Sequence, residues 1–216
     1  MSDYVAGKAW KQEKYQRILE AGFKLFSERG IELVTMPEVA EASGIGRATL
    51  FRYFPSKPDL VIAIGAWKWE EYIQWHNSLL SSEKMKRMTG AEYLRFFLDS
   101  FLDLYRNHQD ILRYNYNFNS YLNYEAGKTD HKQPYLQVAE SLAAQFHELY
   151  ERGLKDGTLN SEISEQVMFS SSFHILLAAV TRYATGLMVV YEQRSDPESE
   201  LKMLEELLLS RFIREG

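Results

Sequence analysis

The sequence contains no cysteine among its 216 residues. That absence excludes disulfide frameworks, zinc sites built on thiolates and cysteine nucleophiles. The N-terminus lacks the apolar core of a signal peptide. The longest weakly polar run, residues 167–191, is interrupted by His174, Arg182 and Gly186, whereas a membrane span needs about 20 predominantly apolar residues. We therefore expect a cytoplasmic protein that has no membrane partner.

The sequence motifs of catalysis and metal binding are also missing. The histidines show no metal-ligand spacing such as HExxH, and there is no nucleophile elbow, Walker loop or dinucleotide fingerprint. Carboxylate pairs such as Glu70 and Glu71 fall on helical faces where solvated surface is the default interpretation. We therefore expect no enzyme activity, no metal site and no cofactor.

Helical periodicity is present along the whole chain. Apolar residues recur at intervals of three and four, and no stretch shows the alternation typical of a strand. Ser56-Lys57-Pro58-Asp59 repeats a helix-start pattern that is also found at residues 35–38 and 195–198. The sequence therefore predicts an all-α fold of about nine helices. Besides two short helices within residues 35–57, they span residues 10–29, 56–80, 91–106, 109–126, 133–156, 162–191 and 197–214.

Residues 35–57 have the pattern of a helix-turn-helix. Thr35 can cap a first helix together with Glu38, and residues 43–46 (SGIG) end that helix because glycine adopts the left-handed conformation at little cost. In the second helix Leu50 and Phe54 share one face. The remaining face presents residues that could touch DNA, namely Arg47, Ala48, Thr49, Arg52 and Tyr53. The same pattern alone also fits an ordinary helical hairpin with a solvated outer face.

Flanking residues distinguish these two interpretations. Upstream, residues 17–30 carry Arg17-Ile18-Leu19, Phe23, Phe26 and Gly30, and downstream Tyr53-Phe54-Pro55-Ser56-Lys57 is followed by Leu60. Together these residues resemble the N-terminal DNA-binding domain of the TetR family of bacterial transcriptional regulators, over roughly residues 14–62. The chain departs from the family pattern at Gly46, Ala48 and Phe51, so the resemblance does not specify which DNA sequence is recognised.

The resemblance implies two domains with different functions. Residues 1–55 would be the DNA-binding domain, and a linker helix would join it to an effector-binding and dimerisation domain at residues 56–216. A slight basic excess in the first 57 residues, in a chain of net charge −5, fits this layout. By matching position, phosphates would be held by Thr35, Tyr53 and Lys57, and base edges would be met by Arg47, Ala48 and Thr49.

The two last helices are the expected dimer interface. The helix at residues 162–191 is apolar almost all round, so it must be covered on two sides. One side can face the core of its own subunit, and small residues such as Ala178 and Ala179 allow a second helix to approach the other. The resemblance implies that this helix and residues 197–214 pair with their twins in a homodimer. A fully monomeric core helix is the alternative.

Aromatic residues are concentrated between Trp67 and Tyr124. Buried tyrosine and tryptophan need partners for their O–H and N–H groups, so such a cluster can line an apolar cavity with a few polar handles. Within residues 167–191, His174 could hold a polar group of a ligand. The predicted ligand contacts are Trp67, Glu71, Trp75, Phe97, Phe101, Tyr114, Phe118, Tyr121, Phe173, His174 and Leu177. The alternative is an aromatic core without a ligand.

These features lead to one main functional hypothesis. We expect a homodimeric transcriptional regulator, a repressor that a small apolar or aromatic ligand releases from a palindromic operator in double-stranded DNA. The alternative is a ligand-free DNA-architectural or protein-binding module that uses the same helix-turn-helix. Ligand-dependent fluorescence changes of Trp67, Trp69 or Trp75 would favour a sensor, and many scattered genomic sites would favour an architectural role.

Overall fold

The computed structural model describes residues 2–125, 133–187 and 196–214. Within those ranges the fold is all-α, as predicted. The helices, in chain order, are α1 (Ser2–Arg29), α2 (Met36–Ala42), α3 (Arg47–Tyr53), α4 (Lys57–Ser78), α5 (Ser82–Arg87), α6 (Gly90–Asn107), α7 (Gln109–Glu125), α8 (Gln133–Asp156), α9 (Glu165–Ser172), α10 (Ala178–Ala184) and α11 (Pro197–Phe212). A stretch of π-helix, Phe173–Leu177, joins α9 to α10.

Two helical segments of the structure were not predicted from the sequence. α1 begins at Ser2 rather than near residue 10. The segment predicted as a loop near residues 81–90 contains α5, in which the Ser81 hydroxyl accepts a hydrogen bond from the Lys84 N–H at 3.2 Å. α5 buries none of its residues, so it has no apolar face that periodicity could reveal.

The helix predicted for residues 162–191 ends earlier in the structure. α10 stops at Ala184, and Gly186 follows with a φ of 69°. The N–H of Gly186 donates to Tyr183 and that of Leu187 donates to Arg182, both at 3.2 Å, which is the pattern of a glycine-ended helix. The prediction of an unbroken helix through Gly186 is therefore wrong. Residues 188–191 lie outside the described residues, as does Ser195, and α11 is capped by Asp196.

The chain divides into two compact units. The first comprises Met1–Glu70 and Arg113–Gln137, and the second comprises Glu71–Leu112 and Val138–Gly216. α4, α7 and α8 each pass from one unit into the other along the chain. The division of function at residues 55 and 56 stays a prediction, since the units are defined by packing alone.

The core of the first unit joins the N-terminal helices to α7. Ile18, Leu50 and Leu60 are fully buried. From α7, the Tyr114 hydroxyl donates a hydrogen bond to the Val61 carbonyl at 2.6 Å, and burial raises the pKa of this phenol well above its ordinary value. Helix α7 is therefore part of the same core as the N-terminal helices.

The second unit is held together by rings and by a ladder of ion pairs. Phe97 packs edge to face on Phe146 with ring centroids 5.2 Å apart. Between α6 and α11, Arg95 lies 3.5 Å from Glu206, Lys202 lies 4.0 Å from Asp99, and Arg106 pairs with Glu198. The order of these pairs shows that the two helices are antiparallel. Across the described ranges, no helix has the length and apolar character needed to cross a bilayer.

Candidate DNA-binding surface

Helix α2 begins at a complete capping box. The N–H and the hydroxyl of Thr35 donate to Glu38 Oε2 at 2.7 and 2.8 Å, and the Glu38 N–H donates back to the Thr35 hydroxyl oxygen at 3.4 Å. Arg29 Nη2 lies 2.9 Å from Glu38 Oε1. The Thr35 donors, followed by Arg29, lower the pKa of Glu38 from 4.5 to about 2. The predicted cap is confirmed, and a phosphate at Thr35 would have to compete with Glu38 for the same donors.

Helix α2 ends in a turn that contains a glycine in the left-handed conformation. Gly44 has a φ of 64°, a conformation that glycine adopts without the steric cost other residues meet. The Ile45 N–H donates to the Ala40 carbonyl at 2.9 Å and the Gly44 N–H to the Glu41 carbonyl at 3.0 Å, which together form a Schellman motif. Arg17 of α1 reaches this turn and donates to the Ser43 carbonyl at 2.6 Å.

Helix α3 is oriented by two buried side chains. Leu50 and Phe54 lie in the core of the first unit, as predicted. Ala48 and Arg52 are exposed on the side opposite Leu50, Arg47 is exposed in the first turn, and Thr49 and Tyr53 are partly exposed. Gly46 caps the helix without a side-chain hydrogen bond. The outward face that the pattern predicted is therefore present.

Phe51 was missed as a member of this surface. Its side chain is 44% exposed and follows Ala48 and Arg47 by three and four residues, so it lies on the same helical face. Spacing alone does not settle this placement, because at about 100° per residue Phe51 projects between the buried Leu50 and the outward Ala48 and Arg52.

Two predicted phosphate contacts are engaged within the first unit. The Tyr53 hydroxyl donates to the Lys11 carbonyl of α1 at 3.3 Å. Lys57 Nζ donates to the Glu32 carbonyl at 3.2 Å and lies 5.7 Å from the centre of the Tyr121 ring. The structure thus places both side chains beside the helix-turn-helix, and their contact with DNA stays a prediction.

The sequence of this region matches a known family. Residues 18–64 match the family described as bacterial regulatory proteins, tetR family. The chain carries a TetR-family helix-turn-helix domain. A transcriptional regulator of the helix-turn-helix type from Staphylococcus aureus is 47% identical over 49 residues, which cover 23% of this chain and 26% of that protein. The chain thus matches about a quarter of the length of this relative.

Solved structures resemble the chain over most of its length. The fatty acid degradation regulator FadR from Bacillus halodurans superposes with a TM-score of 0.69 at 19% identity, covering 91% of this chain and 94% of that one. FadR from Bacillus subtilis, solved in complex with stearoyl-CoA, gives a TM-score of 0.65 at 17% identity, covering 91% and 98%. At these identities the similarity establishes the fold, a TetR-type domain followed by a larger helical domain.

Four predicted ligand contacts lie in the first unit with the TetR-family domain. Tyr114 and Phe118 are buried, with ring centroids 5.9 Å apart. Trp67 lies edge to face with Phe23 at 6.3 Å, and Tyr121 lies beside Lys57. Tyr114 and Phe118 therefore fill the core of this unit, which fits the alternative that we gave for the aromatic cluster.

The other predicted ligand contacts lie in the second unit. Phe97, Phe101 and Phe173 belong to one ring cluster, with Phe101 and Phe173 5.2 Å apart. Leu177 is half-buried and His174 is exposed. On α4, Glu71 is exposed and the Trp75 ring packs on that of His108 at 4.8 Å. An open depression of about 630 Å³ on α8 is lined by none of the predicted residues.

A polar cluster near Trp75 was missed by the sequence interpretation. The Tyr72 hydroxyl donates to the Ser100 carbonyl at 2.6 Å and lies 3.3 Å from Asp103 Oδ2. His76, which is buried, stacks on Phe96 at 4.2 Å, and burial lowers its pKa. The only available signal was that Tyr72 and His76 follow each other at a spacing of four, as do Asp99 and Asp103.

Proposed function

We propose that the protein is a homodimeric transcriptional regulator, a repressor that a small apolar or aromatic ligand releases from a palindromic operator. The observation that carries the proposal is the orientation of α3. Leu50 and Phe54 are buried, Ala48 and Arg52 face outward on the side opposite Leu50, and Arg47 is exposed in the first turn of the helix. A helix with its side chains is about 10–12 Å across, and the major groove of B-DNA is about 12 Å wide.

Different side chains would read bases and hold phosphates. Arg47 can pair its guanidinium fork with O6 and N7 of guanine, and Thr49 can contact the methyl group of thymine. Lys57 would exchange the Glu32 carbonyl, now 3.2 Å from its Nζ, for a phosphate, since the phosphate carries a full negative charge that the carbonyl lacks. Thr35, at the start of α2, would hold a phosphate in place of the Glu38 carboxylate, which now accepts both of its donors.

Exposed apolar side chains support the homodimer. On α9 and the following π-helix, Val167 and Ile175 are 51% and 39% exposed, and on α11 Met203 and Leu207 are 65% and 59% exposed. These side chains belong to the two segments predicted to pair with their twins. Two-fold pairing would place two α3 helices on half-sites about one helical turn of DNA apart, or a multiple of that distance, which makes the operator a palindrome.

Ligand control would act through the second unit. Its ring cluster around Phe97, Phe101 and Phe173, in which Phe97 and Phe101 are buried, would supply apolar contacts to a ligand that enters among the rings, and FadR from Bacillus subtilis has been solved with stearoyl-CoA. α4 begins with Lys57 beside the helix-turn-helix and ends beyond Trp75, so a shift of this helix would reach the DNA-binding residues. The ligand must bind the DNA-incompetent form more tightly, and a coupling of about 1–3 kcal/mol is typical.

Selection of genomic fragments on the purified protein tests the proposal. The protein is incubated at defined salt with fragments from its source organism, and enriched fragments are footprinted. One or a few palindromes beside transport or catabolic genes would support a regulator. Many dispersed sites, or none above the non-specific background, would contradict it and favour the architectural or partner-binding alternative.

A further inference from the structure

We propose that Lys11 and Lys14 of α1 form a second phosphate-binding surface, which holds the DNA backbone beside the groove that α3 enters. The inference rests on the proposed DNA-binding function and extends it. It assigns a role to a segment that lies upstream of the family match, which begins at residue 18.

Three contacts fix this part of α1 against the helix-turn-helix. The Tyr53 hydroxyl donates to the Lys11 carbonyl at 3.3 Å. The Tyr15 ring lies 6.1 Å from the ring of Tyr53 and 5.2 Å from that of Phe54. Two turns of α1 are therefore packed beside the C-terminal end of α3, and Tyr53 positions them.

The exposed side of these turns is basic and aromatic. Lys11 is exposed, and Lys14 Nζ lies 3.3 Å from the centre of the Trp10 ring. Trp10 is itself 59% exposed, so the pair of Lys14 and Trp10 lies at the surface. In residues 10–17 the single acidic residue, Glu13, is accompanied by three basic ones. Arg17 is committed to the Ser43 carbonyl of the turn, so the two lysines supply the positive charge of the exposed side.

The shape of duplex DNA places phosphates beside these two lysines. A helix in the major groove nearly fills its width of about 12 Å, so elements packed against the side of that helix lie over the phosphate walls. Duplex DNA carries one negative charge per about 1.7 Å of its axis. An ammonium group within one side chain's length of the end of α3 therefore meets phosphates, whatever the base sequence.

The salt dependence of binding to a random-sequence duplex tests the proposal. Affinity is measured by fluorescence anisotropy on a duplex of about 30 base pairs, between about 50 and 200 mM KCl. For Lys11→Ala/Lys14→Ala, the slope of log K against log salt should become shallower by about 0.9 for each phosphate that is no longer neutralised, or about 1.8 for each subunit. Circular dichroism and thermal unfolding confirm that each variant is folded.

Two matched variants separate a phosphate contact from a general effect of charge. Lys84→Ala/Lys86→Ala removes the same charge from exposed positions on α5 of the second unit, and its slope should equal that of the wild type. Lys11→Arg/Lys14→Arg keeps both charges and should keep the wild-type slope. A slope for Lys11→Ala/Lys14→Ala that equals that of the wild type would overturn the proposal.

The random duplex keeps this test apart from that of the proposed function. Selection of palindromic operators together with an unchanged slope for Lys11→Ala/Lys14→Ala would refute the α1 surface alone. A shallower slope without any selected operator would support the α1 surface and refute the specific regulator. Failure of the wild-type protein to bind the random duplex at low salt would overturn both.

Discussion

The two units are stabilised in different ways. In the first, the functional surface depends on short-range hydrogen bonds, such as the capping box of Thr35 and Glu38 and the glycine-ended turn at Gly44. In the second, the structure depends on groups far apart in the chain, such as the rings of Phe97 and Phe146 or the pair of Arg95 and Glu206. Local patterns therefore predict the helix-turn-helix of the first unit residue by residue, and the second unit only as a set of helices.

The largest effect is expected where two helices of the second unit meet. A Cβ atom at Gly90 of α6 would collide with the backbone of Gly153 on α8. Because backbone cannot move aside as a flexible side chain can, Gly90→Ala should lower the free energy of unfolding by about 3 kcal/mol, measured by urea denaturation. Gly46→Ala is the control, since a Cβ there meets nothing within 4 Å. Equal stability of the two variants would show that the close approach is unimportant.

The proposed dimer interface gives the next largest effect. Leu207 on α11 is 59% exposed in the single chain, and a charge at this position would be buried without a partner in the dimer. Leu207→Glu should raise the dimer dissociation constant by about 100-fold, equivalent to about 2.7 kcal/mol, as measured by sedimentation equilibrium.

Leu136→Glu is the matched control for the interface. Leu136 lies on α8, outside the predicted interface helices, and is similarly exposed at 48%. This variant should remain dimeric. Monomers from Leu136→Glu, or unchanged dimers from Leu207→Glu, would place the interface elsewhere.

The capping box of the first unit predicts a pH dependence. The folded-state pKa of Glu38 is lowered from 4.5 to about 2, so its carboxylate contributes stability above pH 4.5, and this contribution is lost as the pH falls toward 2. The difference in melting temperature between the wild type and Glu38→Gln should therefore shrink through this window. A difference that stays constant from about pH 6 to about pH 2 would show that the cap does not depend on the charge of Glu38.

The smallest effect is expected at the cap of α3. Gly46 has the extended conformation of an N-cap, with a φ of −62° and a ψ of 143°, and lacks a side chain to accept a hydrogen bond. Gly46→Ser should therefore stabilise the protein by a few tenths of a kcal/mol, about the difference between serine and glycine at this position. Gly44→Ser is the contrasting variant. Its φ of 64° and the nearness of Arg17 should make it destabilising in the same denaturation assay.

Much of the helix-turn-helix could be predicted from the sequence because its determinants are local. The cap at Thr35, the turn at Gly44 and the burial of Leu50 and Phe54 each follow from residues within about one or two turns of helix. The hydrogen bond of the Tyr53 hydroxyl could not be predicted, since its acceptor, the Lys11 carbonyl, lies 42 residues away.

The second unit shows the limit of periodicity. Phe97, Phe101 and Phe173 were predicted as ligand contacts on composition and resemblance, and no local pattern distinguishes a ring that lines a pocket from one that fills a core. Gly186 was predicted as part of a helix because the surrounding residues are apolar. In the structure its φ of 69° belongs to the turn that terminates α10. The first question depends on packing between distant segments, whereas the helix end is set by local hydrogen bonds to Tyr183 and Arg182.

The central claim is that α3 reads base edges in the major groove. The most direct measurement compares the wild type with Arg47→Ala on a selected operator and on the same duplex with one guanine of each half-site replaced. The wild type should discriminate between the two duplexes by about 1–3 kcal/mol at that position, and Arg47→Ala should lose this discrimination while still binding DNA. If Arg47→Ala weakened binding to both duplexes equally and kept the discrimination at every guanine, Arg47 would be a phosphate contact and the account of α3 would be contradicted.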